Sequence, residues 1–183
     1  MKLAHSILTG AAAALVIVAP AAAEERQCTG RIGAVYLDNI FVPDGASCVL
    51  DGTRAKGSIV VGRGAALSAR SVSITGNLQA EGANSVRVYG RSTFGGSVQI
   101  VQGGSASIES ARINGDILFD ENVNALNANN NVVGGNLQAF KNMAGVNLVR
   151  NQIKGNLQCK ENTPAPTGSG NTASSKEDQC ARL

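Results

Sequence analysis

Three carboxylates in one short stretch, Asp116, Asp120 and Glu121 of "GDILFDEN", are the side chains best placed by type and spacing to do chemistry. A pair of carboxylates can cleave a glycosidic bond, one as acid and the other as base or nucleophile. The same oxygens could gather around a calcium ion if neighbouring segments brought them together. Each also has a plainer use within the repeat described below. Asp116 takes the place of a turn asparagine, Glu121 belongs to a column of alternating charge, and only Asp120 has no structural assignment.

Other chemistries are narrower. The single histidine, His5, lies in a segment read as removed on export, so Ser-His-Asp and Cys-His mechanisms are excluded within one mature chain. Cys28, Cys48, Cys159 and Cys180 lack CxxC spacing and a histidine to complete a zinc site. In an exported chain they are expected to pair locally, Cys28 with Cys48 and Cys159 with Cys180. Arg70, Arg91 and Arg112 recur every 21 residues, with Arg63 and Arg87 near them. Such a stripe could hold an acidic polysaccharide or a phosphate-bearing surface, or simply keep a flat sheet soluble. There is no Trp and aromatics make up 3% of the chain, which argues against a stacked sugar platform and a single-strand nucleic-acid groove. No cofactor or resident metal is expected.

The ends of the chain bear on the compartment. Lys2, an apolar run from Ile7 to Val18, Pro20 and Ala21-Ala22-Ala23 read as a signal peptide, with cleavage expected between Ala23 and Glu24. The apolar run is shorter than the ~20 residues a spanning helix needs, and the mature part has no membrane span. Without Lys2, 15 of the 16 Lys and Arg remain against 13 Asp and Glu, a balance too mild and too scattered to imply nucleic acid.

The elements that must position these side chains come from a repeat. Gly57, Gly76, Gly96, Gly115, Gly135 and Gly155 follow one another at steps of 19, 20, 19, 20 and 20 residues. The third position is always aliphatic (Ile59, Leu78, Val98, Ile117, Leu137, Leu157), and the fifth is mostly apolar. Glutamine recurs at the fourth, the alternation of a strand with one face in and one face out. Glycine is too dense, and a 3.6-residue apolar period too scarce, for helices. The expected fold is therefore all-β: a single-stranded parallel β-helix of about six to seven coils, disulfide-capped at both ends. Residues 24–56 form an N-terminal cap and first coil, 57–159 the regular coils, and 160–183 an irregular C-terminal cap. Asn122, Asn142 and Asn162 share one position and Asn131 and Asn151 another, so they are expected to stack and to take left-handed turn conformations. Glu121, Lys141 and Glu161 form the charge column.

The tract "GNLQCKENTPAPTGSGNTASSKEDQC" from Gly155 to Cys180, preceded by "GGNLQAFKN", resembles the C-terminal part of a group of secreted bacterial right-handed parallel β-helix proteins of uncharacterised function. That resemblance implies a right-handed solenoid and export, with no activity to transfer. The coils are also similar, more loosely, to those of bactofilins, which polymerise through open ends. The leading expectation is a secreted or periplasmic β-helix protein, non-enzymatic, with a structural or surface-binding role and cell-envelope or extracellular polysaccharide as partner. The alternatives are a small polysaccharide lyase or hydrolase and a self-assembling module.

Overall fold

A computed structural model describes residues 24–183; the expected leader, with Ala23 and His5, lies outside the described residues. The described chain winds as a parallel β-solenoid with three faces, and none of it is helical. Face A has nine strands: Glu25–Gln27, Asn39–Val42, Ile59–Val61, Leu78–Glu81, Val98–Val101, Ile117–Asp120, Leu137–Phe140, Leu157–Lys160 and Lys176–Asp178. Face B has eight: Arg31–Ile32, Ser47–Asp51, Ala66–Arg70, Ser85–Tyr89, Ser105–Glu109, Leu126–Asn129, Val146–Val149 and Thr167–Ser169. Face C has seven two-residue strands: Tyr36–Leu37, Arg54–Ala55, Ser73–Ile74, Thr93–Phe94, Arg112–Ile113, Val132–Val133 and Gln152–Ile153.

The register stacks identical repeat positions. Ile40, Ile59, Leu78, Val98, Ile117, Leu137 and Leu157 form one inward column of face A and are all buried. A second inward column runs Val42, Val61, Ala80, Ile100, Phe119, Ala139 and Cys159. In that column Phe119 lies between Ile100 and Ala139, so a small neighbour leaves the volume that the ring fills. The repeated glycine owes its place to close approach rather than to a special φ. A Cβ on Gly135 would collide with the Asp116 carboxylate of the coil before, and one on Gly76 with the Ser58 hydroxyl.

Three polar ladders run along this core. Asn122, Asn142 and Asn162 are buried, and each Oδ1 accepts the backbone N–H of its column neighbour in the preceding coil. Each Nδ2 donates to a carbonyl 22 or 23 residues back, those of Ile100, Phe119 and Ala139. Asn131 and Asn151 do the same, and Asn171 extends their column. The asparagines themselves are not the left-handed residues. Positive φ falls one residue earlier, at Glu121 (54°), Lys141 (51°), Glu161 (59°), Asn130 (56°) and Arg150 (51°). The left-handed residue turns the corner, and the next side chain is thereby delivered to the interior. The third ladder is the second repeat position, where Asn39, Ser58, Asn77, Ser97, Asp116 and Asn136 each accept the next coil's backbone N–H.

The stack is longer than the six to seven coils expected: the face orders give eight turns. The segment 24–56 supplies two of them, the first shortened so that Arg26 pairs with Ile40 only 14 positions on. The segment 160–183 is regular up to Asp178. Thr167–Ser169 joins face B, Thr172 bridges to Gln152 on face C, and Lys176–Asp178 closes face A. Its Pro, Gly, Ser and Thr content concealed this coil, because backbone pairing rather than apolar alternation holds it. Gly168, at φ 145°, lies against the Leu148 carbonyl, where any Cβ would overlap.

Two disulfides join adjacent coils near the ends, Cys28–Cys48 and Cys159–Cys180, with Cα separations of 5.5 and 5.2 Å. Their partners are not register mates: Arg31 pairs with Val49, which puts Gly30 rather than Cys28 opposite Cys48, and Cys159 pairs with Asp178. The C-terminal end is closed by Gln179, whose Oε1 takes the N–H and Nδ2 of Asn162, and by Leu183 against the core. Both disulfides call for a non-reducing environment. Among the described residues no helix is long and apolar enough to cross a membrane.

Candidate binding surfaces

The three carboxylates are spread along one coil and serve it differently. Asp116 stands at the corner between faces C and A, where Oδ1 accepts the Asn136 N–H at 2.6 Å as a rung of the third ladder. Glu121 stands at the corner between faces A and B. There it accepts from Gln102 Nε2 at 2.9 Å and pairs with Lys141 Nζ at 3.3 Å. The Gln102 hydrogen bond, and then the lysine, hold its carboxyl below the usual glutamate range, while Glu121 raises the Lys141 ammonium. Asp120 ends its face A strand in a column with Val101, Phe140 and Lys160. Among the described residues no three of His, Cys, Asp and Glu converge as a metal cage.

The arginines pass around a corner instead of lying on one face. Arg70 ends a face B strand and is clamped by Asp51, with Nη2 at 2.6 Å and Nε at 3.0 Å from the two carboxylate oxygens. This bidentate contact lowers the Asp51 carboxyl and raises the guanidinium. Arg91 sits on the corner between faces B and C at φ 61° and is exposed. Arg112 opens a face C strand beside Thr93, two positions past Arg91 and one coil on. Arg87 faces outward at the centre of face B, 5.9 Å from the Tyr89 ring. Among the described residues Arg87, Arg91 and Arg112 have no carboxylate partner within ion-pair distance.

Two contributors escaped the 21-residue spacing. Arg150 occupies the corner column of Arg91, Ser110 and Asn130, and its Nε donates to Asn130 Oδ1 at 3.1 Å. Lys154 follows at the next corner, as Lys56 does near the other end. Alignment on the coil period of 20, rather than a search for arginine spacing, would have found them.

Sorting charges by face gives a polarised molecule. Face A and the corner leading out of it carry Glu25, Asp44, Glu81, Asp120, Glu121, Glu161, Glu177 and Asp178 against Arg26, Arg63, Lys141, Lys160 and Lys176. Faces B and C with their corners carry Arg31, Arg54, Lys56, Arg70, Arg87, Arg91, Arg112, Arg150 and Lys154 against Glu24, Asp38, Asp51, Glu109 and Asp116. The first group is net −3 and the second net +4, although the whole described chain is only mildly basic. Among the described residues no long loop rises from either side to wall a cleft, and the cavities are shallow, the larger ones about 300 Å³. Compared with known proteins, the chain matches no family model, no curated protein and no solved structure.

Proposed function

We propose that this chain is an exported, non-enzymatic β-solenoid that holds an acidic polysaccharide along the edge between faces B and C. The observation that carries the reading is the segregation of charge, with the unpaired guanidiniums of Arg87, Arg91 and Arg112 concentrated on the basic side. Stacked coils fix the backbone positions of these groups, so on a carboxylated or phosphorylated polymer only the arginine side chains have to be ordered. Export is supported by four cysteines committed to two bridges and by the leader-like residues 1–23.

The enzyme reading has less behind it. Asp116 is spent on a corner hydrogen bond and Glu121 on Gln102 and Lys141, so of the three candidate carboxylates only Asp120 is uncommitted. Self-assembly through the ends is disfavoured by charge. Arg26 takes the register position of Ile40 at one end, and Lys176 and Asp178 take those of Leu157 and Cys159 at the other. Charged groups on inward columns of edge strands block further pairing.

Retention of residues 24–183 on immobilised polygalacturonate, measured at increasing salt, tests the proposal. The parent should elute progressively earlier as salt rises, and an Arg91→Glu/Arg112→Glu variant should bind about tenfold more weakly at low salt. Equal retention of parent and variant refutes the assignment of the edge.

A further inference from the structure

We propose a second, separate site on face A: a platform for one sugar unit of a neutral polysaccharide, with Phe140 as its floor. Phe140 points outward from the strand Leu137–Phe140, between Asp120 on one neighbouring strand and Lys160 on the other. Lys141 and Glu161 rise from the corner beside it, and the five side chains line a cavity of about 300 Å³. That volume is at the lower end of the range for small-molecule sites.

Three features select the ligand class. Both ammonium groups beside the ring already have a carboxylate, Lys141 that of Glu121 at 3.3 Å and Lys160 that of Glu161 at 3.9 Å, so an anion gains little from entering, in contrast to the basic edge on the far faces. The carboxylates only accept hydrogen bonds and the ammonium groups only donate them. Hydroxyl groups do both, so a polyhydroxylated ring can engage acceptors and donors alternating along strands about 4.8 Å apart. The phenyl face supplies the apolar surface on which the C–H side of a pyranose rests. No row of aromatic rings exists here, but one ring bordered by fixed polar groups is sufficient for a single subsite.

The neighbouring column explains why a polymer fits better than a free sugar. Gln138 Nε2 donates to Gln158 Oε1 at 2.8 Å, and Gln158 Nε2 donates to Glu177 Oε2 at 2.7 Å. This amide ladder runs parallel to the solenoid axis beside Phe140 and Lys160. Units extending past Phe140 would meet a fixed polar track, already ordered before binding.

Titrating residues 24–183 with cellotetraose and with chitotetraose, followed by backbone amide NMR, tests the site. Saturable shifts confined to the strands Leu137–Phe140 and Leu157–Lys160 and to the intervening corner are expected with at least one of the two. Phe140→Ala should weaken binding about tenfold, while Phe140→Trp should retain it. Both substitutions fall on an outward side chain, and unchanged shifts elsewhere in the spectrum report an intact fold. The Arg91→Glu/Arg112→Glu variant should bind the oligosaccharide like the parent, which separates this site from the acidic-polymer edge. The proposal fails if neither oligosaccharide gives a saturable shift, if Phe140→Ala binds as the parent does, or if glycine as a zwitterion occupies the same strands more tightly.

Discussion

Replacing Asn142 with alanine should cost this protein a large part of its stability, although the residue touches no candidate site. Asn142 is fully buried. Its Oδ1 accepts the backbone N–H and the Nδ2 of Asn122, both at 3.0 Å, and its Nδ2 donates to the Phe119 carbonyl at 3.0 Å and to Asn162 Oδ1 at 2.9 Å. Truncation leaves Asn122 Nδ2 with its bond to the Ile100 carbonyl, and Asn162 Oδ1 with the Asn142 N–H. The Asn122 N–H, however, loses its acceptor inside the core, a penalty of about 1–3 kcal/mol. Adding the small cavity and the bond lost to Phe119 brings the total to about 3–4 kcal/mol. Domains of this size are stable by only about 5–15 kcal/mol. Urea unfolding followed by circular dichroism gives the overall loss, and amide exchange at Asn122 gives its location, since stacked coils can open separately. Asn147→Ala is the control. It removes the same side chain from the outward face of Val146–Val149 and should stay within about 0.5 kcal/mol of the parent. If Asn142→Ala is as mild as that control, or if both are equally harmful, the ladder is not what holds these coils together.

Two further outcomes follow from the bridges and the surface carboxylates. The Cys159→Ser/Cys180→Ser variant opens a link across 21 residues of sequence, which should remove about 3 kcal/mol. Limited proteolysis should then cut within 160–183 before it reaches the Asn142 region. Asp51, hydrogen-bonded by Arg70, and Glu121, hydrogen-bonded by Gln102 and then Lys141, both titrate below their ordinary range. A depressed folded value means that their contribution is present above the unfolded value and fades as pH falls through the folded one. Thermal melts between neutral pH and about pH 3 should therefore decline less steeply for Asp51→Asn/Glu121→Gln than for the parent, and match it in shape above about pH 5. Because both pairs are exposed, added salt should narrow the difference.

The parts of the fold that could be read from residue order are those in which one position meets its own copy in the next coil. Leu78 over Val98 and Asn142 over Asn162 are self-similar contacts, so a period of 19 or 20 residues is sufficient to predict them. The cysteine pairs were legible for the same reason: one coil of sequence separates their Cα atoms by roughly one strand spacing, even though neither cysteine faces its partner in register. Contacts that depend on a departure from the period were hidden. The first coil returns after 14 residues, and the last is held by backbone pairing at Gly168, so both looked like irregular caps. The site suffers more from this than the scaffold does. The spacing of Arg70, Arg91 and Arg112 exceeds one coil and carries them progressively around a corner, and Asp51 then removes Arg70 from the unpaired set. Arg87, which shares the basic side with the two that remain, belongs to another column, and Arg150 lies in the column of Arg91 but three coils on. A binding surface on a solenoid is thus assembled across columns, between positions that repeat for different reasons. Its charge emerges only when residues from several coils are sorted by face, and sorted this way the chain separates into an acidic side and a basic side.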